Sequence, residues 1–385
     1  MRIVADADIL AVSESFSGLG ELKLVDGRKI DAHTLRNADA LLVRSITRVD
    51  EKLLSNTPVR FIGSATSGTD HVDRAYLQKH NIEFADAKGE NANAVVEYCF
   101  AAFVWIAQEQ GFQLQNKQVS LIGVGNVGGQ LAHKLRELDV QCAAYDPLLA
   151  ERDKIDLQEK GVKFVDFAQA LKGDIVSFHV PLTRVGNYPT YHQLSHEQMM
   201  NLPPGCIILN TSRGAVLCNS SLKRALKERD DLTVILDVWE QEPEIDRELL
   251  DLVHLGTPHI AGYSVEAKIN STRSLLSQFC DFFGTQIPDE IATGEKWESR
   301  QLDVADTNGS HCAQAIFAAL PVDEIDRSFR SLLIDSTTQP AEAFDRLRRE
   351  LAGRREFSAY RIATSRLSGD QKRLLEILGF SVSQR

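Results

Sequence analysis

The chain has no apolar run that could cross a membrane. Its longest, "YCFAAFVWIA" from Tyr98, falls far short of the roughly 20 residues a spanning helix needs. The start, "MRIVADADIL", lacks the basic region, apolar stretch and small-residue cleavage site of a secretory signal. A cytoplasmic protein with no membrane partner is expected. Positive charge is also scarce: 43 Lys and Arg face 54 Asp and Glu, a formal net charge of −11. No nucleic-acid partner is expected, because that needs a basic face. An anionic ligand would have to be drawn in by local positive groups. The six cysteines show no metal-ligand spacing and lie mostly in apolar runs, so buried free thiols and no metal site are expected. No long repeat or low-complexity tract is present.

What the chain does have is alternation, over a length of 385 residues that allows two or three domains. "RIVAD", "LKLVD", "ALLVRS", "RFIGSA" and "IEFAD" read as strands. Between them "DAHTLRNA", "DEKLLSN" and "DRAYLQKHN" read as short helices with acidic starts. A longer helix is expected from about Asn93 to Gln110. The rhythm then restarts with "QVSLIG", "QCAAYD", "DIVSFHV", "CIILN", "LTVILDV" and "VHLGT". The fold class is therefore α/β, with two parallel sheets and their helices, and a ligand cleft between the two units. From Pro288 to His311 the text is polar and irregular, like a linker or arm. Mostly helical segments follow, including "DEIDRSFRSLLI" and "PAEAFDRLRREL".

The strand "VSLI" runs into Gly123-Val124-Gly125-Asn126-Val127-Gly128, and an amphipathic pattern follows. Strand, glycine-rich turn and helix in that order predict a dinucleotide-binding loop. Gly123 permits the tight turn, Gly125 lets backbone amides approach a pyrophosphate, and Gly128 allows helix–strand packing. The helix start at Asn126 and Val127 supplies unpaired N–H groups and a partial positive charge. Asp146 closes the next strand-like run. A carboxylate there accepts from ribose hydroxyls and repels a 2′-phosphate, so the expected cofactor is NAD rather than NADP.

Three polar residues follow strands of the second sheet: Arg213 after "CIILNTS", Glu242 after "LTVILDVWEQ" and His259 after "VHLGTP". Ligands of open α/β sheets bind at the carboxyl ends of strands. An arginine grips a carboxylate bidentately. A histidine takes or returns one proton near neutrality. A glutamate on the other ring nitrogen fixes the tautomer and stabilises the imidazolium. With a hydride acceptor beside them, these groups can oxidise a 2-hydroxy acid. Arg213, Glu242 and His259 are the expected catalytic residues. Arg44 is the first candidate for gripping a substrate phosphate, and a basic residue from the tail of a neighbouring subunit is the second. Backbone amides of "SATSGT", with a tight turn at Gly68, are expected to help hold a carboxylate.

The motifs "IGVGNVG", "YDP", "FHVPLT", "ILNTSRGAV", "LDVWEQEP" and "TPHIAGYS" together resemble the D-2-hydroxyacid dehydrogenase family, over about Arg2 to Gly284. The resemblance implies two Rossmann-like domains flanking a cleft, plus a C-terminal α+β dimerisation domain. The implied boundaries are 1–95 with a return segment 265–290 for substrate, 96–264 for NAD, and 291–385 for the dimerisation domain of a homodimer. It implies NAD-dependent oxidation of a small phosphorylated 2-hydroxy acid. It places Ser45, Thr66 and Tyr263 against substrate, and Asp146, Asp237 and Gly262 against NAD. Two positions depart from the pattern: Val180 stands where threonine is frequent, and Cys218 where aspartate is common. The second change should cost a cap on the helix starting near Ser220. Two other readings stay open: another member of the family, such as a 3-phosphoglycerate dehydrogenase, or a non-catalytic NAD-sensing corepressor.

Overall fold

The computed structural model describes residues 1–152, 162–287, 299–302, 311–334, 339–363 and 367–383. Tertiary contacts divide the chain into two units, Met1–Asn91 with Ser264–Trp297, and Ala92–Tyr263 with Glu298–Arg385.

The first unit is built on β1 (Arg2–Asp6), β2 (Glu21–Val25), β3 (Ala40–Val43), β4 (Phe61–Ser64) and β5 (Glu83–Asp86), all parallel in the order β2-β1-β3-β4-β5. Alternate residues of each strand face opposite sides. Ile3, Ala5, Ala40, Leu42 and Phe61 pack against one core, while Val4, Leu41, Val43 and Ile62 pack against another. The helix Val265–Phe283 covers the first of these faces. Ser264 caps its start by accepting from Ala267 N–H, and Gly284 ends it at φ +66. Phe279 is fully buried and meets Phe16 and Phe61 edge-on, each at 5.3 Å between centroids. The segment Asp31–Ala38, expected as a helix, is instead a series of turns. Asp31 takes both the N–H and the hydroxyl of Thr34, so the side chain competes with a helical ladder.

The second unit carries a seven-stranded parallel sheet, β6 (Gln118–Ile122), β7 (Gln141–Tyr145), β8 (Lys163–Phe164), β9 (Ile175–Phe178), β10 (Ile207–Asn210), β11 (Thr233–Leu236) and β12 (Leu255–Gly256). Its order is β12-β11-β10-β9-β6-β7-β8. The long helix runs Ala92–Gln110 and is buried over most of its length. No helix among the described residues is long and apolar enough to cross a membrane. The cysteines are free thiols, and burial pushes those of Cys99 and Cys206 up to about 12.

The tail packs into the core of this same unit. Phe329, on the helix Val322–Ile334, meets Trp239 at 6.5 Å and Phe344 at 6.0 Å. Asp326 accepts the N–H of Gly256 at 2.7 Å, which satisfies a donor on the outermost strand of the sheet. Arg330 pairs with Asp326 and donates to the carbonyls of Leu250 and Val253. Three short strands, β13 (Arg300–Leu302), β14 (Tyr360–Ala363) and β15 (Ser381–Ser383), form a third parallel sheet. These strands are not among the segments named from the sequence, because three or four residues carry too little alternation. Apart from residues 299–302 and His311, the polar stretch Pro288–His311 lies outside the described residues.

Replacing Phe279 with alanine is expected to cost about 3–5 kcal/mol, read as a lower urea midpoint for the first unit. A loss under about 1 kcal/mol would contradict this packing.

Candidate active site

β6 ends where the sheet order reverses: β7 and β8 lie on one side of it and β9 to β12 on the other. Ligands of open parallel sheets bind at this switch point. Gly123 follows at φ +90, and a Cβ there would stand 2.7 Å from the His179 carbonyl oxygen. A Cβ on Gly128 would stand 2.0 Å from the Gly123 carbonyl oxygen, so only glycine lets the helix start this close to the turn. Gly125 differs. It is exposed, and a Cβ there would meet nothing within 4 Å, leaving room for a ligand against the backbone. The helix Asn126–Glu137 begins next, with no side chain capping its first turn. Those N–H groups suit a pyrophosphate. Asn126 is exposed and Val127 half-buried.

Asp146 closes the loop. Its Oδ2 accepts Val124 N–H and its Oδ1 accepts Leu149 N–H, each at 3.0 Å. The carboxylate is thereby fixed beside the turn, with lone pairs left for ribose hydroxyls. These residues fit NAD. Burial pushes His179, next to the glycine turn, down to about 3, so that ring stays neutral and is no proton carrier at physiological pH.

Arg213, Glu242 and His259 follow β10, β11 and β12. These strands are adjacent and parallel, so all three residues emerge at one edge of the sheet. Gly214 ties the first two loops together: a Cβ there would lie 1.9 Å from the Trp239 carbonyl carbon. Arg213 is half-buried and donates Nη1–H to the Ser212 carbonyl at 2.8 Å. His259 Nδ1 lies 2.7 Å from Glu242 Oε2, and Glu242 Oε1 accepts Trp239 N–H at 2.7 Å. With Nδ1–H donating to a carboxylate, the network assigns Nε2 as the nitrogen that can accept a proton. Burial opposes ionisation of Glu242. The charge and hydrogen bond of His259, the Trp239 amide and the charge of Arg348 outweigh it and lower its pKa.

His259 sits at φ +54, a left-handed conformation that costs of order 1–3 kcal/mol outside glycine. Two clamps over-determine this turn. Asp237 is fully buried. Its carboxylate accepts from the Thr257 hydroxyl and Ile260 N–H, both at 2.7 Å, and from Ala261 N–H at 2.9 Å. Its carbonyl takes His259 N–H at 2.7 Å. Asp237, expected against NAD, is thus committed to the histidine turn. From the other side Arg354, buried in the tail, donates to the carbonyls of Ile260 (2.9 Å), Ala261 (2.8 Å) and Ala94 (2.9 Å). Buried Glu97 stands 3.8 Å from its guanidinium. Sequence reasoning missed Arg354; its only signal is the charged run "GRREF" inside an otherwise amphipathic tail.

Gly262 and Tyr263 complete the turn and are half-buried. The Arg348 guanidinium lies 5.2 Å from the Tyr263 ring centre. In the first unit Ser45 is exposed, and Thr66 donates its hydroxyl to the Gly68 carbonyl at 3.0 Å. Gly68 is not among the residues with positive φ, so its turn does not need glycine. Arg44 is held by Asp6 at 2.8 Å and Asp8 at 2.7 Å; its charge is already matched by two carboxylates. Cys218 precedes the helix Asn219–Glu228 and gives it no side-chain cap.

Residues 96–261 match the family described as D-isomer specific 2-hydroxyacid dehydrogenase, NAD binding domain. A protein named erythronate-4-phosphate dehydrogenase from Marinobacter nauticus is 37% identical, covering 99% of this chain and 100% of its own. One of the same name from Yersinia enterocolitica is 39% identical, covering 99% of each. The chain belongs to the erythronate-4-phosphate dehydrogenase family. It is an NAD-dependent dehydrogenase. The fold is that of an NAD-bound 3-phosphoglycerate dehydrogenase from Entamoeba histolytica, with TM-score 0.62 and 24% identity over 74% of this chain and 95% of the other.

Arg354→Lys keeps the charge but not the fork that reaches three carbonyls. Its turnover is expected to fall by roughly ten- to a hundredfold with NAD affinity, followed by fluorescence quenching, little changed; full turnover would remove the clamp from the account. The lowered pKa of Glu242 also fixes a sign. The stability it adds over Glu242→Gln is present above about pH 4.3 and lost as pH falls through the lowered value. Denaturant midpoints against pH test this, and an advantage that grows as the pH falls below about 4 would contradict it.

Proposed function

We propose that this enzyme oxidises 4-phospho-D-erythronate at C2 with NAD, giving (R)-3-hydroxy-2-oxo-4-phosphooxybutanoate in the cytoplasmic synthesis of pyridoxal 5′-phosphate. The observation that carries the reading is the 2.7 Å hydrogen bond from His259 Nδ1 to Glu242, at the sheet edge that also presents Arg213. Family names supply the substrate; the site supplies chemistry that matches it.

NAD, bound through Gly123–Gly128 and Asp146, supplies the hydride acceptor. Neutral His259 accepts the C2 hydroxyl proton at Nε2 as the C2–H bond gives up its hydride and the C2=O bond forms. Glu242 stabilises the imidazolium so produced, as an opposite charge within hydrogen-bonding reach favours the charged form. Arg213 binds the substrate carboxylate and polarises the C2 oxygen. Gly262 flanks the cofactor, and Tyr263 contacts substrate. Ser45 and Thr66 are the first unit's candidates for substrate contact. Asp237 acts on the cofactor side through the turn that it holds.

Arg348 is the better candidate for the phosphate than Arg44. It reaches the ring of Tyr263 and its charge is felt by Glu242, whereas Arg44 is neutralised by Asp6 and Asp8. The working form is read as a homodimer joined through the C-terminal segment, on family resemblance. Light scattering on the full chain should give twice the 42.8 kDa chain mass.

His259→Asn is expected to lower kcat by about a hundred- to ten-thousandfold while leaving NAD binding within about twofold. Unchanged turnover would refute the role. Arg348→Ala should raise KM for 4-phospho-D-erythronate by about tenfold or more and that for unphosphorylated D-erythronate by less than about twofold. Equal effects on both would exclude Arg348 as the phosphate grip.

A further inference from the structure

Three side chains of different chemistry meet in the second unit. His192, Cys218 and Glu240 each offer one donor atom, and these atoms lie within 4.8 Å of one another. They come from three separate loops, so cysteine spacing in the sequence could not reveal them. Each is fixed independently. His192 has φ +50, and its N–H donates to the Ala215 carbonyl at 2.9 Å. Gln193 N–H donates to the Val216 carbonyl at 2.8 Å, and Leu194 bridges Leu217. This short seam sets the imidazole beside Cys218. Tyr191 stacks on the imidazole at 3.8 Å, and Arg184 lies 3.6 Å over the Tyr191 ring. Glu240 spends Oε2 on Asn219 N–H at 2.7 Å and points Oε1 at His192 Nε2, also at 2.7 Å.

We propose that His192 Nε2, Cys218 Sγ and Glu240 Oε1 bind one Zn2+ ion, with water completing a tetrahedron. The inference does not rest on the dehydrogenase reading, since its three donors are not among the residues proposed to react. Nitrogen, thiolate and carboxylate are the donor types zinc takes, with bonds of about 2.0 Å to N and O and about 2.3 Å to S. Donors in such a tetrahedron stand about 3.3–3.6 Å apart. The 2.7 Å His192–Glu240 contact opens by about half an ångström to meet this, and the Cys218 sulfur closes in from within 4.8 Å of the other two donors. The Asn219 amide on Glu240 orients the carboxylate, the second contact that metal ligands commonly have. The three groups would bind as a thiolate, an imidazole nitrogen and a carboxylate, so binding releases protons.

The test uses the full-length protein, reduced, stripped with EDTA and desalted. Co2+ is titrated in as a coloured stand-in for zinc. A thiolate-to-cobalt charge-transfer band is expected, saturating at one ion per chain and bleached by Zn2+. Cys218→Ser should lose the band and bind Zn2+ roughly tenfold or more weakly by competition with a chromophoric chelator. His192→Gln should weaken Zn2+ to a similar degree while keeping the circular dichroism of the wild type. Absence of the band in the wild type, or the same band and Zn2+ affinity in Cys218→Ser, would overturn the proposal.

Discussion

The chemistry proposed for the second unit depends on the hydrogen bond between His259 Nδ1 and Glu242. It spends one ring nitrogen on a carboxylate and so commits the other to the proton. A histidine without that partner would sample both tautomers, and one of them presents a donor at Nε2 where the proposed chemistry needs an acceptor. On that proposal the carboxylate would also offset the charge of a protonated ring. Glu242 is in turn aimed by the Trp239 amide. The Trp239 indole donates to the Thr257 carbonyl, at the start of the histidine turn. The two loops therefore orient each other.

That arrangement needs a backbone which the chain would not adopt alone. The left-handed His259 is held by a buried acid and a buried base on opposite sides of one turn. Asp237 uses the N–H groups of Ile260 and Ala261, and Arg354 uses their carbonyls. Burying such groups is costly unless each finds partners, and here the partners are the turn itself. The tail thus has a role within its own unit: it supplies the second clamp, protects the outermost strand through Asp326, and brings Arg348 to Tyr263.

Much of this was legible in the residues. Period-two alternation and continuous apolar runs mark buried parallel strands, and the eleven strands named from the text all appear. The glycine loop reads clearly because its geometry leaves no other side chain room at Gly123 and Gly128. That Arg213, Glu242 and His259 come to one end of the sheet was legible because each follows a strand, and those strands are adjacent and parallel. β8 and the three tail strands did not, being too short to show a period. The Asp31–Ala38 turn looked helical because an acidic start is shared by caps and turns alike. The pairing of Arg44, a candidate phosphate grip, with Asp6 and Asp8 was not legible, because these acids lie far from it in sequence and the β1–β3 pairing brings them together. Arg354 was hidden for the same reason: its three carbonyl partners lie more than ninety positions away.

The central claim is that this edge of the sheet removes a hydride from C2 of a phosphorylated four-carbon 2-hydroxy acid. Its most direct test is NADH formation, followed by absorbance, when purified protein and NAD are given 4-phospho-D-erythronate or 3-phosphoglycerate in parallel. The account predicts steady turnover with the first and a kcat/KM at least about a hundredfold lower with the second. NADH from neither, or a preference for 3-phosphoglycerate, would contradict it.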